Sequence, residues 1–200
     1  MSSATTTSDD ALTAQLERLY YIERTLQSEL ETLATDVSIE TLDDLRAMEC
    51  REQLQYVIDE HREETETHLD RIERAFDALG EEPEGRRVPE LDGLFADKEA
   101  FNNVILNDSL RPLYYIQTTL QLEAIECSVY ETTMALASAL EDDAADEVVD
   151  ALEHNYDDER RTRTELESLA DSDAVETLLE SNPVDDAARE SLGRSWRKKP

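Results

Sequence analysis

Little in this sequence interrupts a helix. Its 200 residues include only four Gly and five Pro, and all of them lie outside two long stretches, residues 1–79 and 113–182. Gly and Pro punctuate regular structure most strongly, so both stretches can be helical throughout. Cys50 and Cys127 stand far apart and in no C-x-x-C pair, which excludes a disulfide framework and a thiolate zinc site. No apolar run exceeds four residues, against the roughly 20 that a membrane helix requires. The opening MSSATTTSDD lacks the charged-then-apolar pattern of a signal peptide. A soluble, cytoplasmic protein with no membrane partner is expected.

Positive charge is the other scarcity. Nineteen Lys and Arg, only three of them Lys, face 50 Asp and Glu, for a net charge of −31. Such a surface is a poor partner for nucleic acid, whose binding depends on neutralising phosphates. Self-repulsion also opposes compaction, unless salt near about 1 M shortens the screening length to about 3 Å. The balance points to a salt-rich, halophilic cytoplasm. Leu, Ile, Val and Phe fill 45 positions, just above the roughly one-fifth level below which charged chains stay disordered.

The apolar residues step three and four apart, as on a helix face. Ser8, Asp9 and Asp10 offer N-caps to a first helix, about 10–34, carrying Leu12, Leu16, Leu19, Leu26, Leu30 and Leu33. A connection near 36–50 follows, with a turn of its own at 41–48. The second helix, about 50–79, carries Leu54, Ile58, Leu69, Ile72, Phe76 and Leu79 before Gly80 closes it. Ser109 and a first-turn Pro112 open the third, about 110–140, and the fourth covers about 143–170 with Val148, Leu152, Leu166 and Leu169. The short joint at 141–143 makes the last two antiparallel neighbours. The joint at 80–109 is long enough to run the length of a helix of about 45 Å at about 1.5 Å per residue. The fold class is therefore all-α: a ferritin-like antiparallel four-helix bundle with one long crossover between the second and third helices. Residues 1–9 are expected to form a disordered tail, 10–170 the bundle, and 171–200 an extension with a basic end, Arg194 to Pro200. An echo of Leu19-Tyr20-Tyr21-Ile22 in Leu113-Tyr114-Tyr115-Ile116 is compatible with duplication of a helix pair or with convergence.

Polar residues occupy positions where the step pattern demands core. Glu23 lies between Leu19 and Leu26, and Glu123 between Leu120 and Cys127. His61, Thr65 and His68 interrupt the second helix; Asn155, Glu159 and Thr162 interrupt the fourth. All fall near the middle of their helices and so meet at one level. Carboxylates crowded in an apolar core repel and are costly to desolvate unless paired. No Lys occurs in these four helices, and Arg24, Arg62, Arg160 and Arg161 adjoin the core positions without occupying them. Two divalent metal ions, iron or manganese, would balance the charge. The usual Glu-x-x-His pair is missing: the second helix reads His61-x-x-Glu64 and the fourth Glu159-x-x-Thr162, so Glu126, one turn past Glu123, is the candidate sixth ligand.

The run Asp59 to Ile72 with His61 and His68, the run Leu19 to Glu23, the run Leu122 to Tyr130 and Asp157-Asp158-Glu159 resemble the YciE/YciF stress-protein family, over roughly residues 10–170. The resemblance implies a ferritin-like bundle, usually a homodimer, with a two-metal centre and no well-established reaction. It places the metal-site residues at Glu23, His61, Glu64, Glu123, Glu126 and Glu159. Ala124 departs from the family pattern, where a His often follows the first Glu of the third helix, and 38–49 looks like an insertion. His68 is read as a satisfied core histidine or a support for a ligand, and Glu159 is preferred to Asp158. Tyr20 and Tyr130 are core aromatics, or groups that hydrogen-bond ligands or relay electrons. The implied function is a di-metal protein handling O2 or peroxide under stress. The competing class is a non-catalytic bundle whose polar layer specifies dimerisation or partner binding. The charge excess predicts that helicity, followed by circular dichroism, falls as salt is diluted from about 1 M; an unchanged spectrum in dilute buffer removes the salt-adapted reading.

Overall fold

The computed structural model describes residues 8–38, 45–104, 111–140 and 143–181. Every regular element among them is helical: α1 (Ser8–Ser38), α2 (Leu45–Leu79), α3 (Pro89–Val104), α4 (Arg111–Ser138), α5 (Asp143–Ala170) and α6 (Asp173–Ser181). None is long and apolar enough to cross a membrane. The four long helices are those the apolar steps mark out, with α1 starting two residues earlier and ending four later than expected. Of the turn expected at 41–48, residues 45–48 belong to α2 and 41–44 lie outside the described residues. So do residues 1–7 of the expected tail and the basic end at 194–200.

Burial explains the helices. Leu12, Leu16, Leu19, Leu26, Leu30 and Leu33 of α1 are wholly buried, as are Leu54, Ile72 and Phe76 of α2 and Val148 and Leu152 of α5. The stripe is less regular in α4, where Leu113 and Leu120 are only partly buried while Thr118, Thr119 and Leu122 are buried. The hydroxyls of Thr118 and Thr119 donate to the backbone oxygens of Tyr114 and Tyr115, at 3.0 and 2.9 Å, which satisfies them inside the core. At the end of α2, Gly80 adopts φ 69°. Its N–H donates to Asp77 O and the Glu81 N–H to Phe76 O, both at 3.0 Å, the paired bonds of a Schellman cap.

α1 packs on α2 and α4, and α5 packs on the same two helices. Partner residues run in opposite order along α1 and α2: Tyr20 meets Glu73, Glu23 meets His68, and Val37 O accepts from Arg51. The same reversal holds for α2 and α5, where Glu64 pairs with Arg161 and Arg71 with Asn155. The crossover contains α3, a helix its Gly and Pro content had concealed, and advances alongside α1. Arg86 bonds Glu17, Tyr21 bonds Asp92 and Lys98 bonds Asp36, at 2.6, 2.6 and 2.7 Å. Val88, Leu91 and Phe95 are buried beneath it, and the next inward step is Lys98, also wholly buried. Asp36 and Glu99 compensate its charge, and Asn102 adds a bond to Asp36. α3 thus packs on α4 while its side chains bond α1 along one side of the bundle.

Gly80 and Gly93 should respond oppositely to substitution. Ala at the left-handed Gly80 costs about 1–2 kcal/mol, whereas Ala at Gly93, inside α3 with open space at its Cβ position, gains up to about 1 kcal/mol. Urea denaturation of both variants checks this; shifts of the same sign contradict it.

Candidate metal centre

Four helices each send charge to one level of the core. α1 supplies Glu23, α2 His61 and His68, α4 Glu123 and Glu126, and α5 Glu159, none more than 2% exposed. Their ligand atoms form two groups within which all atoms lie within 4.8 Å of one another: His61, Glu123, Glu126 and Glu159, and then Glu23, His68 and Glu159. Glu159 belongs to both. His61 Nδ1 lies 3.0 Å from Glu123 Oε1, and its Nε2 lies 3.4 Å from Glu159 and 3.8 Å from Glu126. His68 Nδ1 lies 2.9 Å from Glu159 Oε1 and 3.3 Å from Glu23 Oε1.

These atoms are close but not hydrogen-bonded to one another. Both carboxylate oxygens of Glu123, Glu126 and Glu159, Oε2 of Glu23, Nε2 of His61 and both ring nitrogens of His68 are buried without a hydrogen-bond partner. Buried polar atoms are satisfied in the great majority of cases, so a cluster of orphans is informative. Four carboxylates carry four negative charges, and two imidazoles are the only nearby bases in the two groups. Two divalent cations would cancel that charge with both histidines neutral, and carboxylate with imidazole suits iron or manganese.

Polar neighbours brace the cluster. The Tyr130 hydroxyl donates to Glu23 Oε1 at 2.7 Å, and Asn155 Nδ2 donates to the Tyr130 oxygen at 3.0 Å and to His68 O at 3.1 Å. Arg71 donates to Asn155 Oδ1 and to Asp158, at 2.9 and 3.1 Å. Asp158 also sits 3.4 Å from His68 Nε2, close to it but without a hydrogen bond. Tyr20 instead turns outward to Glu73.

Of the six residues marked in the sequence, Glu23, His61, Glu123, Glu126 and Glu159 converge. Glu64 does not: it pairs with Arg161 at the margin of the bundle, with 21% of its side chain exposed. At about 100° per residue, three steps from His61 carry Glu64 some 60° off the inward face, while seven steps bring His68 back within about 20°. That seven-residue spacing was the available signal for His68. Asp158 faces Arg71 and Arg161, leaving Glu159 as the inward member of the pair.

Burial acts on the ionisation of several of these groups. By itself it would lower the His61 pKa, but the carboxylates of Glu123 and Glu159 more than offset it and raise the value to about 9. For His68 the same opposition, led by Glu23, ends at about 11. Burial raises Glu126, with the charges of Glu159 and Glu123 acting in the same direction, and it raises Glu159 against the two imidazoles. A pKa raised on folding stabilises below the unfolded value and loses that contribution as pH rises through the folded value. The protein without added metal should therefore lose stability to urea from about pH 4.5, where Glu126 and Glu159 begin to contribute, to beyond pH 9, where His61 still does. A denaturation midpoint that stays flat or rises over that window contradicts the geometry.

No curated protein matches the chain. Among solved structures, YcfI from Rhodopseudomonas palustris superposes with a TM-score of 0.71 at 23% identity, covering 84% of this chain and 98% of its own. The stress protein YciF of E. coli does so with a TM-score of 0.71 at 21% identity, covering 86% of this chain and 99% of its own. At these identities the likeness speaks for the helical fold. The model of the family described as "Domain of unknown function (DUF892)" matches residues 7–179, and the chain belongs to that family.

Proposed function

We propose that this protein is a ferritin-like di-metal carboxylate protein, an antiparallel four-helix bundle with one long crossover, that handles O2 or peroxide under stress. The observation carrying the proposal is the set of buried carboxylate and imidazole atoms from four helices that have no hydrogen-bond partner. Two divalent ions, iron or manganese, would give these groups partners. Glu159 would be common to both positions, His61, Glu123 and Glu126 would hold one ion, and Glu23 with His68 would hold the other. When bound, such ions supply electron transfer to a small oxidant. The chain's own part is to hold acidic ligands in a dry core, where Tyr130 and Asn155 fix Glu23. In this reading the protein is a cytoplasmic, salt-adapted homodimer whose partner is a small molecule, and the bundle spans residues 10–170.

The competing reading is a non-catalytic bundle whose polar layer sets pairing. Such layers generally use one polar residue, and four carboxylates in one layer exceed that need.

The unequal donor sets make the test specific. Protein purified without chelator should carry about two metal equivalents per chain by elemental analysis. Glu159→Ala, which removes the shared ligand, should lose both. Glu23→Ala should retain the metal of the four-donor position and lose the other. Added metal should raise the melting temperature of the unsubstituted protein, as for any ligand selective for the native state. Metal-free protein whose stability added metal leaves unchanged would establish the non-catalytic bundle instead.

A further inference from the structure

The second feature that stands out lies away from the buried cluster. A groove of about 530 Å³ opens between α2 and α5 at the turn into α6, with Tyr56, Val57 and Leu169 among its apolar walls and Glu52 and Glu165 beside them. Val57 and Leu169 are buried, but Tyr56 is 66% exposed. Among the described residues, the exposed large hydrophobic side chains are Met48, Tyr56 and Leu179. Met48 and Tyr56 lie eight residues apart on α2, with Glu52 midway, and Leu179 lies on α6, which packs against α2. Two of the three lie in the first third of α2, and Tyr56 lines the groove, which is rimmed by Glu52 and Glu165.

The sequence beyond α6 carries a matching segment. Residues 182–200 hold the only Trp, Trp196, with Arg194, Arg197, Lys198 and Lys199 around it and no acidic residue from 191 onward. In a chain of net charge −31 this is the one strongly cationic, aromatic stretch. Its reach is sufficient. Ser172 lines the groove and α6 ends at Ser181, so the described chain stops within roughly 20 Å of the groove, counting nine helical residues at about 1.5 Å each plus the turn. Trp196 follows Ser181 by fifteen residues, a span of up to about 50 Å when extended. A tether of that length gives an effective concentration in the millimolar range, so weak contacts suffice for docking.

We propose that residues 194–199 dock back onto their own chain, with Trp196 in the groove against Tyr56 and Leu169, and the Arg and Lys side chains on Glu52 and Glu165. The aromatic pair supplies apolar contact, and the cations neutralise part of the acidic surface. This proposal is independent of the metal centre and survives its failure.

As the single Trp, Trp196 reports on its own surroundings. Fluorescence of the full chain, with acrylamide quenching, is compared with a synthetic peptide of residues 182–200. Docking gives blue-shifted emission and several-fold weaker quenching in the full chain than in the peptide, unchanged on dilution. Tyr56→Glu, at an exposed position with helicity checked by circular dichroism, should return both signals towards those of the peptide. Glu52→Lys with Glu165→Lys should do the same at the lowest salt at which circular dichroism shows the fold intact. Emission and quenching equal to the peptide's overturn the proposal. So does protection indifferent to Tyr56→Glu, which places Trp196 elsewhere, and protection lost on dilution, which assigns the groove to another copy's tail.

Discussion

Like charges held together in an apolar core set the terms for this molecule. Glu23, Glu123, Glu126 and Glu159 come from three helices and meet where Leu would otherwise pack. Desolvating even one isolated carboxylate costs several kcal/mol, and their mutual repulsion grows as the surrounding dielectric falls. Protonation and the two imidazoles relieve part of this: the neighbouring carboxylates push His61 and His68 upward against burial, and burial pushes Glu126 and Glu159 upward. Divalent cations would relieve it more completely, and would link α1, α2, α4 and α5 through bonds that no side-chain pair in the cluster makes.

Much of the remaining polar core serves to keep this arrangement in place. Asn155 uses both ends of its amide, donating to Tyr130 and the His68 backbone while accepting from Arg71. One residue of α5 is thereby bonded to α2 and α4 at the height of the cluster. Around it, Asp158 satisfies Arg71 and Arg161, and Arg161 in turn takes up Glu64. The cations that the sequence places beside the core thus stay at its rim, where solvent still screens them, and leave the interior acidic. The crossover uses the same principle in reverse: Lys98 is tolerated at full burial because Asp36 and Glu99 meet it.

How far the site was legible follows from helix geometry. Glu23, Glu123 and Glu159 interrupt apolar steps, and a polar group on a core stripe is visible without coordinates. Glu126 is buried although it lies off the simplest stripe, because α4 is covered over more than one face, as the burial of Thr118, Thr119 and Leu122 shows. The family-derived set names Glu64, whereas the groups of close ligand atoms contain His68. Motif spacing favoured Glu64, whereas angular position on α2 favours His68. Tyr130 and Asn155 could not be paired from sequence, since their contact joins residues 25 apart across two helices. The helix in the crossover was concealed because its Gly and Pro suggested a break, yet Pro89 begins α3 and Gly93 sits within it.

By itself, the sequence determined that the four long segments become helices, where α2 stops, and that Glu23, His61, Glu123 and Glu159 fall on inward faces. These properties are local: they depend on step, capping and the scarcity of Gly and Pro, all of which act within a few residues. Only the tertiary structure decided that Glu159 is shared between two groups, that one oxygen of Glu64 pairs with Arg161, and that Asn155 closes a bridge to Tyr130 and His68. Those outcomes depend on how far each helix is rotated and shifted against its neighbours. Rotation and shift are set by packing of the whole core, which no single segment encodes.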